Sequence, residues 1–309
     1  MKKLLVTLIT AIVLISCGGQ GQTVELTPFI GGTDGVVLTF SNDMRPEVFD
    51  GGQDPFDLTV QLQNKGETDV PKDKITVAIS GILPQEFNKI PEDLAKHAQE
   101  DLPAKKKLTT GTIQESPIIY TEFLGLNHVS KISGSVIPFM IRADACYQYA
   151  TKAVSKVCIR KNIQNPSPNG LCEIDGDKVS SASSGPIQIG NFKETTRGSN
   201  KIGFSFDVTH VGSGRVFERE SSCADVIPKR DRIKVRVDSK IGGLTCTGLY
   251  NPVGTTVEGI TSLFENKKQI TCTQEIKSAG DYELPITVDV EYDYLESVTK
   301  EITIKTSNS

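Results

Sequence analysis

Hydrophobic and polar side chains alternate along most of this chain. Leu58, Val60 and Leu62 are separated by Thr59 and Gln61, and Ile75, Val77 and Ile79 by Thr76 and Ala78. Ile202, Phe204, Phe206 and Val208 follow the same rule, as do Ile233, Val235 and Val237. Leu284, Ile286, Val288 and Val290 stay in phase through Tyr292 and Tyr294, and Val298, Ile302 and Ile304 close the chain. A strand turns successive side chains to opposite faces, so each run makes one dry face and one wet face. Antiparallel sheets with one face in water have that signature, whereas strands of buried parallel sheets are apolar without a break. Clusters of Gly, Asn, Pro and Ser separate the runs. One stretch predicts a helix: Pro91 to Glu100 has Pro in its first turn, early acids and good helix formers, and Pro103 stops it.

The pattern also repeats. Asp57–Gly66 falls on Gly203–Gly212 at an offset of 146, and Gly52 falls on Gly198. Further on, Tyr147-x-Tyr149 falls on Tyr292-x-Tyr294 at an offset of 145, and Ala153, Val157 and Ile159 fall on Val298, Ile302 and Ile304. Landmarks in one order with so little drift indicate a duplication. The expected architecture is all-β, with two tandem antiparallel β-sandwiches. Domain 1 spans 24–165 and carries a short helical insertion at about 83–111; a linker rich in turn formers covers 166–170; domain 2 spans 171–309.

The amino terminus departs from this pattern. Lys2 and Lys3 precede an apolar run, Leu4 to Ile15, which ends at Leu14-Ile15-Ser16-Cys17-Gly18-Gly19. The run is too short to span a bilayer and has the length of a signal-peptide core. Its end resembles the bacterial lipobox. That resemblance implies a signal peptide at 1–16, a lipidated Cys17 opening a flexible tether at 17–23, and attachment to the cell envelope, with Gly18 favouring the outer membrane or cell surface.

Six cysteines remain: Cys146, Cys158, Cys172, Cys223, Cys246 and Cys272. An even number in an exported chain implies disulfides, in fifteen possible pairings. Cys146 and Cys158 flank a turn expected near Ala150–Ala153, Cys246 and Cys272 sit in similar strand-like contexts, and Cys172 and Cys223 are left. The expected bridges are Cys146–Cys158, Cys172–Cys223 and Cys246–Cys272.

The composition, 37% hydrophobic and 23% charged, is that of an ordinary globular protein. Acidic residues outnumber basic ones by 38 to 34, which argues against a nucleic-acid partner. Candidate chemistry is sparse. There is no Gly-x-Ser-x-Gly, Walker loop, HExxH or GxGxxG. No close cysteine pair accompanies His97, His128 or His210 for zinc, and Glu173-Ile174-Asp175-Gly176-Asp177 lacks the spaced ligands of an EF-hand, so it reads as an acidic turn. No catalytic, cofactor-binding or metal residue is expected, and the chain does not read as an enzyme. Lys105–Lys107 and Lys229-Arg230-Asp231-Arg232 read as solvated faces. The recurring Tyr147, Tyr149, Tyr292 and Tyr294 suggest a packing or sheet-edge role.

The stretch Pro55-Phe56-Asp57-Leu58 to Gln63-Asn64-Lys65-Gly66-Glu67 resembles the CARDB and related immunoglobulin-like modules of microbial surface proteins. The second half keeps Gly212 and has His210 in place of the Asn. The resemblance implies two tandem immunoglobulin-like sandwiches and a role in surface adhesion or spacing, without catalytic residues. The expected function is a lipid-anchored cell-envelope surface protein acting as a non-enzymatic spacer, adhesion or interaction module. Its expected partners are the membrane, through Cys17, and a protein partner or a second copy, through edge strands. One alternative is a subunit of an extracellular fibre or surface layer, with Glu25–Ile30 or Thr299–Thr306 as donor strand. Another is a periplasmic binding or assembly lipoprotein that uses 83–111 as its contact.

Overall fold

A computed structural model describes residues 28–164, 170–277 and 280–307. The expected signal peptide, Cys17 and tether lie outside the described residues, as does most of the linker at 166–170. The described chain is all-β, and no helix reaches seven residues. The first half runs β1 (Val36–Phe40), β2 (Glu47–Phe49), β3 (Phe56–Asn64), β4 (Ile75–Ser80), β5 (Ala95–His97), β6 (Lys106–Lys107), β7 (Ile113–Gln114), β8 (Ile118–Leu126) and β9 (Val136–Ile159). The second runs β10 (Gly176–Asp177), β11 (Ser180–Ala182), β12 (Ile187–Thr196), β13 (Lys201–His210), β14 (Arg215–Phe217), β15 (Arg232–Asp238), β16 (Leu244–Cys246), β17 (Asn251–Val253), β18 (Thr256–Ser262), β19 (Lys267–Glu275) and β20 (Tyr282–Lys305).

The frame is the pair β9 and β20. Each has 24 residues, and they pair antiparallel along their whole length, from Ile159↔Tyr282 to Val136↔Lys305. Alternation explains the run. Ile141, Ala143, Ala145, Tyr147, Tyr149, Ala153, Val157 and Ile159 are buried, while Arg142, Asp144, Gln148, Lys152 and Lys156 point to the other face. The two strands sit at the centre of a ten-stranded sheet ordered β17-β18-β15-β20-β9-β4-β5. Its dry face is shared by a three-stranded sheet (β1-β3-β8) and a five-stranded sheet (β10-β12-β13-β19-β16). One connected apolar core results, running from Leu58 and Ile141 to Val208 and Val290.

The strand registers of the two halves correspond. Val77 of β4 opposes Ala145 of β9, and Val235 of β15 opposes Val290 of β20. Leu58 opposes Phe123, and its counterpart Phe204 opposes Cys272. Gln148 pairs with Asp293, each the other's counterpart at an offset of 145, so an approximate two-fold axis passes through this pair. The units expected at 24–165 and 171–309 therefore share a sheet and a core.

Three expectations need correction. The first concerns the cysteines. No turn interrupts β9 at Ala150–Ala153, where the alternation simply continues; Cys146 and Cys158 lie twelve residues apart on one strand, about 40 Å, far beyond disulfide reach. Cys146 is joined to Cys223 and Cys158 to Cys172, in place of Cys146–Cys158 and Cys172–Cys223. Cys246 is joined to its directly opposed partner Cys272. The second concerns the insertion at 83–111. It holds two 3-10 turns, Pro84–Phe87 and Pro91–Leu94, and the expected helix gives way to β5, which pairs with β4. Within the stretch Pro91–Glu100 only Leu94 and Ala98 are buried, too little apolar surface to hold so short a helix, and β4 gains an edge partner instead. The third concerns the donor strands. Thr299–Lys305 is already paired with Arg142–Val136; of Glu25–Ile30, residues 28–30 are not a strand and residues 25–27 lie outside the described residues.

Candidate functional site

The most elaborate chemistry lies where the halves meet. On the dry face of the ladder, Tyr149 opposes Tyr292 and Tyr147 opposes Tyr294, and the four buried rings touch at centroid distances of 5.7 to 6.3 Å. A buried phenol needs a hydrogen-bond partner, and each has one. Val36 N–H donates to the Tyr147 hydroxyl at 3.1 Å. Tyr149 donates to Asn64 Oδ1 at 3.3 Å, and Asn64 Oδ1 also accepts the Gly66 N–H. In the second half the Tyr292 hydroxyl lies 3.1 Å from Thr151 Oγ1, and Tyr294 accepts the Gly214 N–H at 2.8 Å and lies 3.1 Å from His210 Nε2. The Asn64-Lys65-Gly66 motif is thus a lock. A Cβ on Gly66 would lie 1.8 Å from the Tyr149 hydroxyl, and one on Gly212 would lie 2.2 Å from that of Tyr294. His210 does in one half what Asn64 does in the other. Burial pushes all four phenols up from their ordinary range and His210 down. These tyrosines pack and fasten.

The opposite, wet face carries a cleft of about 390 Å³ beside the same axis. Asp73, Thr76, His97, Asp144, Gln148 and Asp293 line it, together with the Cys146–Cys223 bridge. Its polar groups are bound into the frame. Asp144 accepts from Ser80 Oγ (2.8 Å), Arg142 Nε (2.6 Å) and Ser297 Oγ (2.6 Å). Asp293 is 1% exposed and accepts from Glu220 N–H, Ser221 Oγ and Ser222 N–H, which fastens the loop carrying Cys223 onto the sheet. His97 Nδ1 lies 3.1 Å from the Ile75 carbonyl. The cleft can receive a small polar molecule. Both of its cysteines are bridged, and His97 Nδ1 also lies 3.4 Å from Thr76 Oγ1.

Two further carboxylates tie the halves together, and no sequence motif announces them. Glu67 accepts from Ile30, Gly31 and Ser184 N–H, the last across the junction at 2.7 Å. Glu194 is fully buried, accepts the Cys158 N–H at 2.7 Å and lies 3.0 Å from Lys178 Nζ. Burial outweighs these partners and pushes its carboxyl up to about 7.

The segments singled out in the sequence are occupied locally. Asp175 accepts from Thr196 N–H, and Asp177 pairs with Lys193, so the acidic turn closes onto β12. Lys106 pairs with Asp69, Lys229 and Arg232 with Glu218, and Arg230 with Asp225. Among the described residues no three His, Cys, Asp or Glu side chains group as a metal site, and no helix is long and apolar enough to cross a membrane. Three disulfides are the mark of an oxidising environment outside the cytosol.

The chain matches no protein-family model and no curated protein sequence. Among solved structures, the Fcho1 mu homology domain of Danio rerio, with bound Eps15 peptide, is similar over 90% of this chain and 98% of that one, at 7% identity and a TM-score of 0.23. The secreted serine protease VesC of Vibrio cholerae is similar over 82% of this chain and 50% of that one, at 8% identity and a TM-score of 0.17. Both likenesses are too slight to assign a fold or an activity.

Proposed function

We propose that this chain is an exported, lipid-anchored surface protein of the bacterial envelope that acts as a non-enzymatic interaction scaffold. The cysteine arrangement carries the reading. Six cysteines form three disulfides, two of which bind one half to the other, and the seventh, Cys17, closes a basic start and a signal-length apolar run. Disulfides persist outside the cytosol, and two or three acyl chains on Cys17 hold a protein at a membrane without a spanning segment. Each half then serves as an immunoglobulin-like sandwich of the CARDB kind, built against a shared ladder. The bonding of Asp144, Asp293 and His97 into the frame supports a scaffold.

Intact mass spectrometry of protein taken from its native membrane tests the reading. The expected product begins at Cys17, carries acyl chains there, and lacks the hydrogens of three disulfides. A product that retains Met1 and has free thiols overturns it, as does turnover on any substrate.

A further inference from the structure

Each sheet ends in edge strands, and the edges differ. The ten-stranded sheet stops at β17 and β5, three residues each; the five-stranded sheet stops at β10, two residues, and at β16, three residues stapled by Cys246–Cys272. Short edges resist pairing with other chains. β8 is nine residues long and pairs only with β3. The bonds Ser41 N–H to Thr59 O and Lys65 N–H to Gly35 O turn the odd residues of β3 toward β1 and the even ones toward β8. The register Leu62↔Ile119 and Val60↔Thr121 then turns the odd residues of β8 inward. Ile118, Tyr120 and Glu122 therefore point N–H and C=O off the edge. Lys96 Nζ, which donates to the Glu122 carbonyl at 3.0 Å, agrees with this. Side chains along this edge are exposed too: Ile118 by 44%, Tyr120 by 48% and Leu124 by 56%.

The duplicate half is an internal control. Phe123 and Cys272 oppose the counterparts Leu58 and Phe204, so β8 falls on β19, with Ile118 on Lys267, Tyr120 on Gln269 and Glu122 on Thr271. In the second half this side of β19 is covered: β16 pairs with Cys272–Gln274, Thr247 N–H donates to the Thr271 carbonyl, and Phe264 pairs with Lys267, whereas no strand covers this edge of β8 among the described residues.

We propose that the β8 edge pairs antiparallel with the same edge of a second copy of this chain, with Ile118 opposite Tyr120 of that copy. The segment is self-complementary in this register. Both residues offer outward N–H and C=O groups, so the pair exchanges them around a two-fold axis at Ile119. A β-branched side chain meets an aromatic one twice on the wet face, a favourable cross-strand pair. The bonded residues stop short of Glu122, whose carbonyl Lys96 holds. An isologous contact closes on itself, so the product is a dimer and not a fibre. Neither export nor the lipid enters the argument, so it stands apart from the proposed function.

The test uses the chain carrying Cys17→Ser, which removes any association through acyl chains. Sedimentation across a concentration series should show a reversible monomer–dimer equilibrium. Replacing Ile118→Lys and Tyr120→Gln, the residues β19 carries at those places, should raise the dimer Kd by about tenfold or more and leave Tm unchanged. Amide exchange at Ile118 and Tyr120 should slow as concentration rises, with Thr121 unaffected. A monomer at every concentration overturns the proposal. So does a dimer that survives the double substitution, or concentration-dependent protection confined to other strands.

Discussion

Gly66 and Gly212 leave room for a tyrosine hydroxyl in their respective halves, and that room cannot be widened cheaply. Overpacking a filled core costs about 1–3 kcal/mol, so Gly66→Ala should lower stability by about 2 kcal/mol or more in urea titrations. Adding Tyr149→Phe, which removes the opposing oxygen, should recover part of that loss. Gly190→Ala, which meets nothing within 4 Å, should stay within about 0.5 kcal/mol of the parent. Glu194 gives a pH signature. Its carboxyl titrates near 7 in the folded chain and near 4.5 when unfolded. Below 4.5 both states are protonated and nothing is lost. Between 4.5 and 7 only the folded state keeps the proton, so stability falls as pH rises, by about 3 kcal/mol once above 7. Glu194→Gln should remove that slope, read from urea midpoints at pH 4.5 to 7.5, and an unchanged slope would refute the assignment.

At the scale of elements, the alternation of side chains makes most of the strands legible in the sequence, because burial on one face of a sheet writes a period of two into the chain. Leu58–Leu62, Ile202–Val208 and Leu284–Tyr294 all lie in strands. Of the cysteine pairings, Cys246–Cys272 was legible from two similar strand contexts, and the other two were not. They depend on whether β9 turns at Ala150–Ala153, and that depends on β20, more than a hundred residues away. Thr151, Ala153, Ser155 and Val157 stay in phase with Tyr149 and carried the only local hint. The helix at Pro91–Glu100 failed for the same kind of reason, since local propensity yielded to the open edge of β4. The bridges should differ in weight. In the chain-entropy picture, the Cys146–Cys223 loop, with a separation of 77, is worth about 4.5 kcal/mol, and the Cys246–Cys272 loop, with a separation of 26, about 3.5 kcal/mol. Calorimetry of Cys146→Ala/Cys223→Ala should therefore show the larger fall in Tm. A larger fall for Cys246→Ala/Cys272→Ala would mean that the junction is held without its bridge.

In the molecule as a whole the two halves share one sheet and one core, with strand registers that correspond about the β9–β20 pair. The repeat was readable because its landmarks kept their order, but the sequence suggested two beads on a linker. The ladder of β9 and β20 makes separation costly, since residues 28–164 alone would leave the β20 side of all 24 residues of β9 without a partner and expose the face of the tyrosine cluster. That fragment should aggregate or self-associate when expressed alone. The tyrosine lock is not legible along the chain: Asn64, Gly66, Tyr149 and their counterparts each stand out weakly, and the fold alone brings them together. The most direct check is residue-resolved amide exchange through a denaturant series, with Tyr149 and Val60 reporting on the first half and Tyr292 and Phe206 on the second. One shared body predicts that all four amides open with the same free energy and the same denaturant dependence. Two separate transitions, one for each half, would contradict it.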